Sequence, residues 1–144
     1  NSEGVYEVDD ATFAKIKDQF KAGCLSEDEI LTTIKTCFNE TGYLLDTHTA
    51  IGYGVLKQYQ QETGDHTKTV LLSTASPYKF PESVYQAIYG EELDVYTAID
   101  KLSEKTGVPV PQALAGIKER EVLHKEAIDK TEIISFIKSE IEAM

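Results

Sequence analysis

Apolar residues recur every three to four positions along most of the chain, which is the spacing of one face of an α-helix. The clearest start signal is Ser26 followed by Glu29, the residue pair of a capping box. Glycines and prolines fall between the periodic stretches, where helices begin and end. The pattern therefore predicts a mostly helical chain, with helix boundaries near Gly23, Ser26, Gly42, Asp46, Pro81, Gly107 and Asp129.

Two short stretches have the composition of β-strands instead. Val5–Val8 could form a short strand, and Val70–Leu72 is a continuous apolar run of the kind found in strands buried on both faces. A helix precedes the second run, and a loop of small residues and another helix follow it, which is half of an open α/β unit. The sequence thus predicts an α/β fold, mostly helical with a few parallel strands.

Three helices carry features that predict how they pack. Gly52 and Gly54 lie inside the helix that starts near Asp46, and the cost of glycine there is usually compensated by close packing against another backbone. The first and last helices carry apolar stripes that we expect to face the core. These stripes are Phe13, Ile16 and Phe20, and Ile133, Ile134, Ile137 and Ile141.

The length and net charge of the chain exclude several classes of function. The chain has 144 residues, which is typical of a single domain over 1–144, and 41% of them are hydrophobic. Its 25 acidic residues against 14 basic ones give a net charge of −11, which argues against binding nucleic acid or an anionic membrane. No apolar run approaches the roughly 20 residues of a membrane span. Two cysteines outside any framework of disulfides favour a cytoplasmic protein.

Chemistry is expected in the loop from Ser73 to Phe80, because ligands of open α/β sheets bind beyond the carboxyl ends of the strands. This loop contains three hydroxyls and one cation: Ser73, Thr74, Ser76 and Lys79. Hydroxyls in turns also satisfy local backbone groups, so the residues alone leave both interpretations open. Asp46 and His48 lack the further ligands that zinc requires, and we predict no metal site.

Two separated stretches resemble segments of threonine synthases. Residues 41–52 read TGYLLDTHTAIG and resemble the family's TGYLLDPHTAVG, and residues 73–80 read STASPYKF and resemble STAHPxKF. Their order and spacing also fit that family. This chain has Thr47 where the family usually has Pro, and Ser76 where many members have His.

The resemblance implies part of the large cofactor domain of a fold-type-II pyridoxal-phosphate enzyme. Such an enzyme converts O-phospho-L-homoserine and water to L-threonine and phosphate. By resemblance, Thr74 is expected to hydrogen-bond the pyridine nitrogen of pyridoxal phosphate, while Ser73 and Ala75 shape the same wall of the site. Ser76 and Lys79 are the further candidates for that wall.

The family's Schiff-base lysine, which lies in a Ser-Phe-Lys-Asp motif, has no counterpart in these 144 residues. The nearest similar run, Ser135-Phe136-Ile137-Lys138, has the wrong spacing. We therefore expect this chain to be the carboxyl-terminal region of a threonine synthase. We expect it to be inactive on its own and to self-associate. A stand-alone ligand-binding or regulatory domain on the same scaffold is the alternative, and another pyridoxal-phosphate enzyme is a third reading.

Overall fold

The computed structural model describes residues 4–123 and 125–143. The described residues fall into two compact units, one ending at Leu114 and the other beginning at Ala115. The first unit contains α1 (Asp10–Gln19), α2 (Glu27–Thr41), α3 (Thr47–Thr63), α4 (Pro81–Tyr89) and α5 (Val95–Thr106), with a short 3-10 helix at Pro77–Lys79. The second contains a 3-10 helix at Ile117–Glu119 and α6 (Ile133–Glu142).

The predicted helix boundaries are largely confirmed. The Ser26 hydroxyl accepts from the backbone N–H of Glu29 and the Glu29 carboxylate accepts from the backbone N–H of Ser26, so the capping box is formed. Asp46 caps α3 with its side chain. Two helices differ. The first, α1, ends at Gln19, before the predicted stop at Gly23, and the last, α6, begins at Ile133, after the predicted start near Asp129.

The core of the first unit lies where α2 packs on α3 and α4, and α4 packs on α5. It also includes the link between α2 and α3 and the tyrosine of the 3-10 helix. Its buried apolar members are Ile34, Cys37, Leu44, Leu45, Ala50, Tyr78, Val84, Tyr85, Ala87, Ile88, Ala98, Ile99 and Leu102.

The predicted parallel strands are not present in residues 4–123 and 125–143, all of which are helix, turn or irregular. Val5–Val8 and Val70–Leu72 both lie outside regular secondary structure. A strand is stable only when its backbone groups pair with those of a neighbouring strand. The described chain supplies no such neighbour, so an apolar run with strand composition stays unpaired.

The two terminal apolar stripes do not face a core. None of the residues of α1 is buried, and Phe13, Ile16 and Phe20 are all exposed. In the second unit, Ile134 is 71% exposed and the other isoleucines of the α6 stripe are 45–65% exposed. Periodicity correctly predicted these helices, but an apolar stripe is buried only where another element packs against it.

Candidate functional site

The loop predicted to carry the chemistry begins with an extended segment that lies on α3. Leu71 and Ser73 point towards the helix. A Cβ placed on Gly52 would lie 2.9 Å from Leu71 Cδ1, and Ser73 Oγ lies 3.5 Å from Thr49 Oγ1. Val70 and Leu72 alternate with them and are 83% and 75% exposed. The segment therefore has the side-chain alternation of a strand with only one face covered.

The glycines of α3 were predicted to pack against another backbone, but leucine side chains lie beside them instead. Gly52 accommodates Leu71, and a Cβ on Gly54 would collide with Leu25 Cδ1. At both positions a larger residue would require the neighbouring leucine side chain to shift.

The segment starts from a turn fixed by Asp65. Its carboxylate accepts from the Thr67 backbone N–H at 2.9 Å and from the Tyr59 hydroxyl at 3.0 Å. Hydrogen bonds from the Thr67 side chain and backbone, followed by that from Tyr59, hold the pKa of Asp65 below its usual value of 3.8. This turn sends the chain back along α3 towards its amino end.

The middle of the loop contains the three residues that the resemblance to threonine synthases implies for cofactor binding. Ser73 and Thr74 are exposed, and Ala75 is half-buried. The Thr74 hydroxyl has no hydrogen-bond partner among the described residues, whereas Ser73 contacts Thr49. The structure thus places the three residues side by side, with Thr74 open to an incoming group.

The second half of the loop has a more local role. Ser76 caps the short 3-10 helix, since its hydroxyl accepts from the Tyr78 backbone N–H at 3.2 Å. Tyr78 is buried and its hydroxyl donates to the Val108 carbonyl. Lys79 is exposed, with its ammonium 5.6 Å from the centre of the Phe80 ring.

The amino end of α3 lies against the loop. Only part of its role follows from the sequence. Asp46 is buried and its carboxylate accepts from the backbone N–H groups of His48 and Thr49, at 2.9 and 3.2 Å, and from the Thr49 hydroxyl. The His48 ring contacts the Phe80 ring with centroids 5.0 Å apart. The sequence indicated Asp46 as a cap, but contact of the next two residues with the distant loop follows only from the fold.

Other potential sites lie apart from this loop. An open groove of about 540 Å³ is lined by Leu25 and by residues of α2 and α3, and no residue of the 73–80 loop lines it. Within the described ranges, no three His, Cys, Asp or Glu side chains are grouped to hold a metal ion. None of the helices in the same ranges combines the length and the apolar character needed to cross a membrane.

Comparison with known proteins gives one consistent family. Residues 49–137 match the family model described as "Threonine synthase, C-terminal". The chain is 32% identical over 111 residues to threonine synthase-like 1 of Mus musculus, covering 74% of this chain and 14% of that protein. It is 40% identical over 82 residues to threonine synthase of Haemophilus influenzae, covering 56% and 18%.

A solved structure supports the same relationship. The crystal structure of pyridoxal-phosphate-bound threonine synthase from Brucella melitensis superposes with a TM-score of 0.58 at 30% identity, covering 81% of this chain and 21% of that one. The chain spans less than a fifth of the length of the two curated relatives above. Since the family model covers more than half of the chain, and includes α3 from Thr49 onwards and the 73–80 loop, this chain belongs to the threonine synthase carboxyl-terminal family.

Proposed function

We propose that this chain forms the carboxyl-terminal part of a threonine synthase. The complete enzyme would convert O-phospho-L-homoserine and water to L-threonine and phosphate, using pyridoxal phosphate. The observation that carries the proposal is the placement of the STASPYKF loop. It is held against the first turn of α3 and leaves the Thr74 hydroxyl exposed without a partner in the described residues.

The residues of the loop suit one wall of a pyridoxal-phosphate site. The pyridine nitrogen of the cofactor needs a single hydrogen-bonding partner, and Thr74 offers a neutral hydroxyl. A neutral partner leaves that nitrogen largely unprotonated, unlike a carboxylate. Ser73 and Ala75 flank Thr74 and would shape the wall beside it. When bound, the cofactor supplies the electron sink for the reaction.

Ser76 and Lys79 would contribute less directly. The Ser76 hydroxyl is engaged as the cap of the 3-10 helix, so we expect it to shape the loop. Lys79 is exposed beside Phe80 and carries a positive charge at the edge of the wall. We propose that Lys79 adds positive potential there.

The outward face of the extended segment supports assembly with a larger protein. Val70 and Leu72 are exposed, although their composition is that of a strand buried on both faces. We infer that upstream strands of the complete enzyme cover this face. The isolated chain is then expected to self-associate, because it exposes the apolar face of this extended segment. Sedimentation velocity would test this, and Val70→Lys should reduce any association.

The chain alone is proposed to be inactive. The sequence contains no Ser-Phe-Lys-Asp motif to provide the nucleophilic lysine. Its cysteines, Cys24 and Cys37, are both free, which agrees with a proposed location in the reducing cytoplasm.

The test is a complementation assay. The chain is mixed with a separately expressed upstream part of a threonine synthase from the same organism, pyridoxal phosphate and O-phospho-homoserine, and phosphate and threonine are measured. We expect activity only from the mixture, reduced at least about ten-fold by Thr74→Ala, as for loss of an oriented hydrogen bond. Thr69→Ala, which removes an exposed hydroxyl earlier in the segment, is the matched control and should retain activity.

Two results would contradict the proposal. Threonine formation by the purified chain alone would show that it is not an incomplete part of the enzyme. A soluble, folded pair without activity would reduce the family relationship to common ancestry and favour a stand-alone ligand-binding or regulatory domain.

A further inference from the structure

The first turn of α3 contacts the 73–80 loop both where the loop begins and where it ends. Thr49 Oγ1 lies 3.5 Å from Ser73 Oγ, where the loop begins. The His48 ring lies against the Phe80 ring, where the loop ends, with centroids 5.0 Å apart and planes inclined by 43°. Two adjacent residues of one helical turn therefore contact a loop that lies more than twenty positions away in the sequence.

Asp46 organises this turn. Its Oδ1 accepts the two backbone N–H groups, and its Oδ2 accepts the Thr49 hydroxyl. Because a carboxylate accepts and does not donate, the single hydroxyl proton of Thr49 is directed at Asp46. The lone pairs of Thr49 Oγ1 then face the loop, and the Ser73 hydroxyl is the donor across the 3.5 Å contact.

We propose that Asp46 is a positioning residue, which acts through Thr49 to fix Ser73 and with it the adjacent Thr74. The inference rests on the proposed function, in which Thr74 meets the cofactor. Helix capping alone requires only that Asp46 accept backbone N–H groups. The bond to the Thr49 hydroxyl is additional, and Asp46 takes part in it while only 1% exposed. A buried anchor of this kind limits motion of the loop and pre-organises the Thr74 hydroxyl.

Variants at two threonines of the same turn separate positioning from capping. Thr49→Val removes the hydroxyl with little change of shape, and Thr49→Ser restores it. Thr47→Val is the control: the Thr47 hydroxyl lies 3.4 Å from His48 Nδ1, so this variant affects only the end of the loop at Phe80 and leaves the contacts of Thr49 with Asp46 and Ser73 in place. Ser73→Ala removes the other half of the contact from an exposed position, so it remains informative even where Thr49→Val fails to fold.

The first measurement is nitrogen-15 relaxation of the 144-residue chain. We expect backbone order parameters at Ser73–Ala75 near the rigid value of about 0.85 in the unaltered chain, falling below about 0.6 in Thr49→Val and Ser73→Ala. Thr49→Ser and Thr47→Val should retain the rigid value. Unchanged order in both Thr49→Val and Ser73→Ala, or equal loss in Thr47→Val, would overturn the inference.

The second measurement is the Kd for pyridoxal phosphate of the complemented mixture, by fluorescence titration. Thr49→Val should raise Kd about five-fold, the size of one ordinary hydrogen bond, whereas Thr49→Ser and Thr47→Val should stay within about two-fold. An unchanged Kd in Thr49→Val, where Thr74→Ala does weaken binding, would overturn the positioning role. If Thr74→Ala itself leaves Kd unchanged, the proposed cofactor contact fails, and the anchoring by Asp46 is then decided by the order parameters alone.

Discussion

The buried hydroxyl of Tyr78 donates a hydrogen bond to the backbone carbonyl of Val108, thirty residues further along the chain. The same carbonyl accepts from the Ser103 hydroxyl at 3.0 Å. Tyr78 belongs to the 3-10 helix inside the candidate loop, and Val108 follows the end of α5. The contact therefore ties the candidate loop to the segment that follows α5.

Tyr78→Phe should destabilise the chain by about 1 kcal/mol, the net contribution of one hydrogen bond. The cost stays modest because the Val108 carbonyl keeps its bond to Ser103. Urea unfolding measures the difference, with Tyr43→Phe at an exposed position as the control. Equal stability of Tyr78→Phe and the unaltered chain would show that the hydroxyl contact contributes nothing in solution.

Two leucines of the first unit differ in how far their side chains are buried. Leu102 is fully buried and Leu72 is 75% exposed. Leu102→Ala should lower the free energy of unfolding by about 2–5 kcal/mol, because it leaves a cavity in the core. Leu72→Ala, the same chemical change on the uncovered face, should stay within about 0.5 kcal/mol at concentrations where the chain is monomeric. Both values come from denaturant unfolding, and similar losses would mean that Leu72 is covered in solution.

The capping box of α2 predicts that the stability of the fold depends on pH in the acidic range. The Ser26 backbone N–H and hydroxyl donate to the Glu29 carboxylate at 2.6 and 2.7 Å and lower its pKa from the usual 4.5. A group whose pKa falls on folding stabilises the fold above its unfolded pKa, and that stabilisation is lost as the pH falls through the folded value. The stability gap between the unaltered chain and Glu29→Gln should therefore be constant above pH 4.5 and shrink below it.

Unfolding of both proteins from pH 7 to pH 3 measures this gap. Glu27→Gln removes an acid from the same turn without touching the capping box, and serves as the control. A gap between Glu29→Gln and the unaltered chain that does not change with pH would show that the carboxylate is not stabilised by Ser26.

Substitutions of Gly107 measure the cost of placing a side chain at a left-handed backbone position, because no neighbouring atom would clash with the new Cβ. It ends α5 in the left-handed region, with φ at 72°, and a Cβ there would meet nothing within 4 Å. Gly107→Ala should cost about 1–2 kcal/mol from conformation alone. Gly107→Asn should cost less, since asparagine tolerates this region better than other side chains. Thermal unfolding compares the two, and equal stability of all three proteins would contradict the assigned end of α5.

Prediction from sequence worked best where the signal is local. Ser26, Asp46 and Pro81 were each predicted to start a helix and do so, because capping and the fixed φ of proline act within a few residues. The two motifs that resemble threonine synthases pointed to the family that the comparisons then showed. The roles of Thr74 and its neighbours stay predictions until cofactor binding is measured.

Where the chain would pair or pack could not be predicted in the same way. Val70–Leu72 has the composition of a buried strand and the right alternation, but strand pairing needs a partner that no local pattern supplies. The isoleucines of α6 form an apolar stripe that is exposed for the same reason.

The sequence by itself determined where most helices begin and which loop carries the family's motif, because these depend on neighbours a few positions away. Only the tertiary structure decided that Thr49 meets Ser73, that His48 meets Phe80 and that Tyr78 reaches Val108. Those contacts join residues 24 to 32 positions apart, and they form only when the packing of α2, α4 and α5 brings the chain back upon itself.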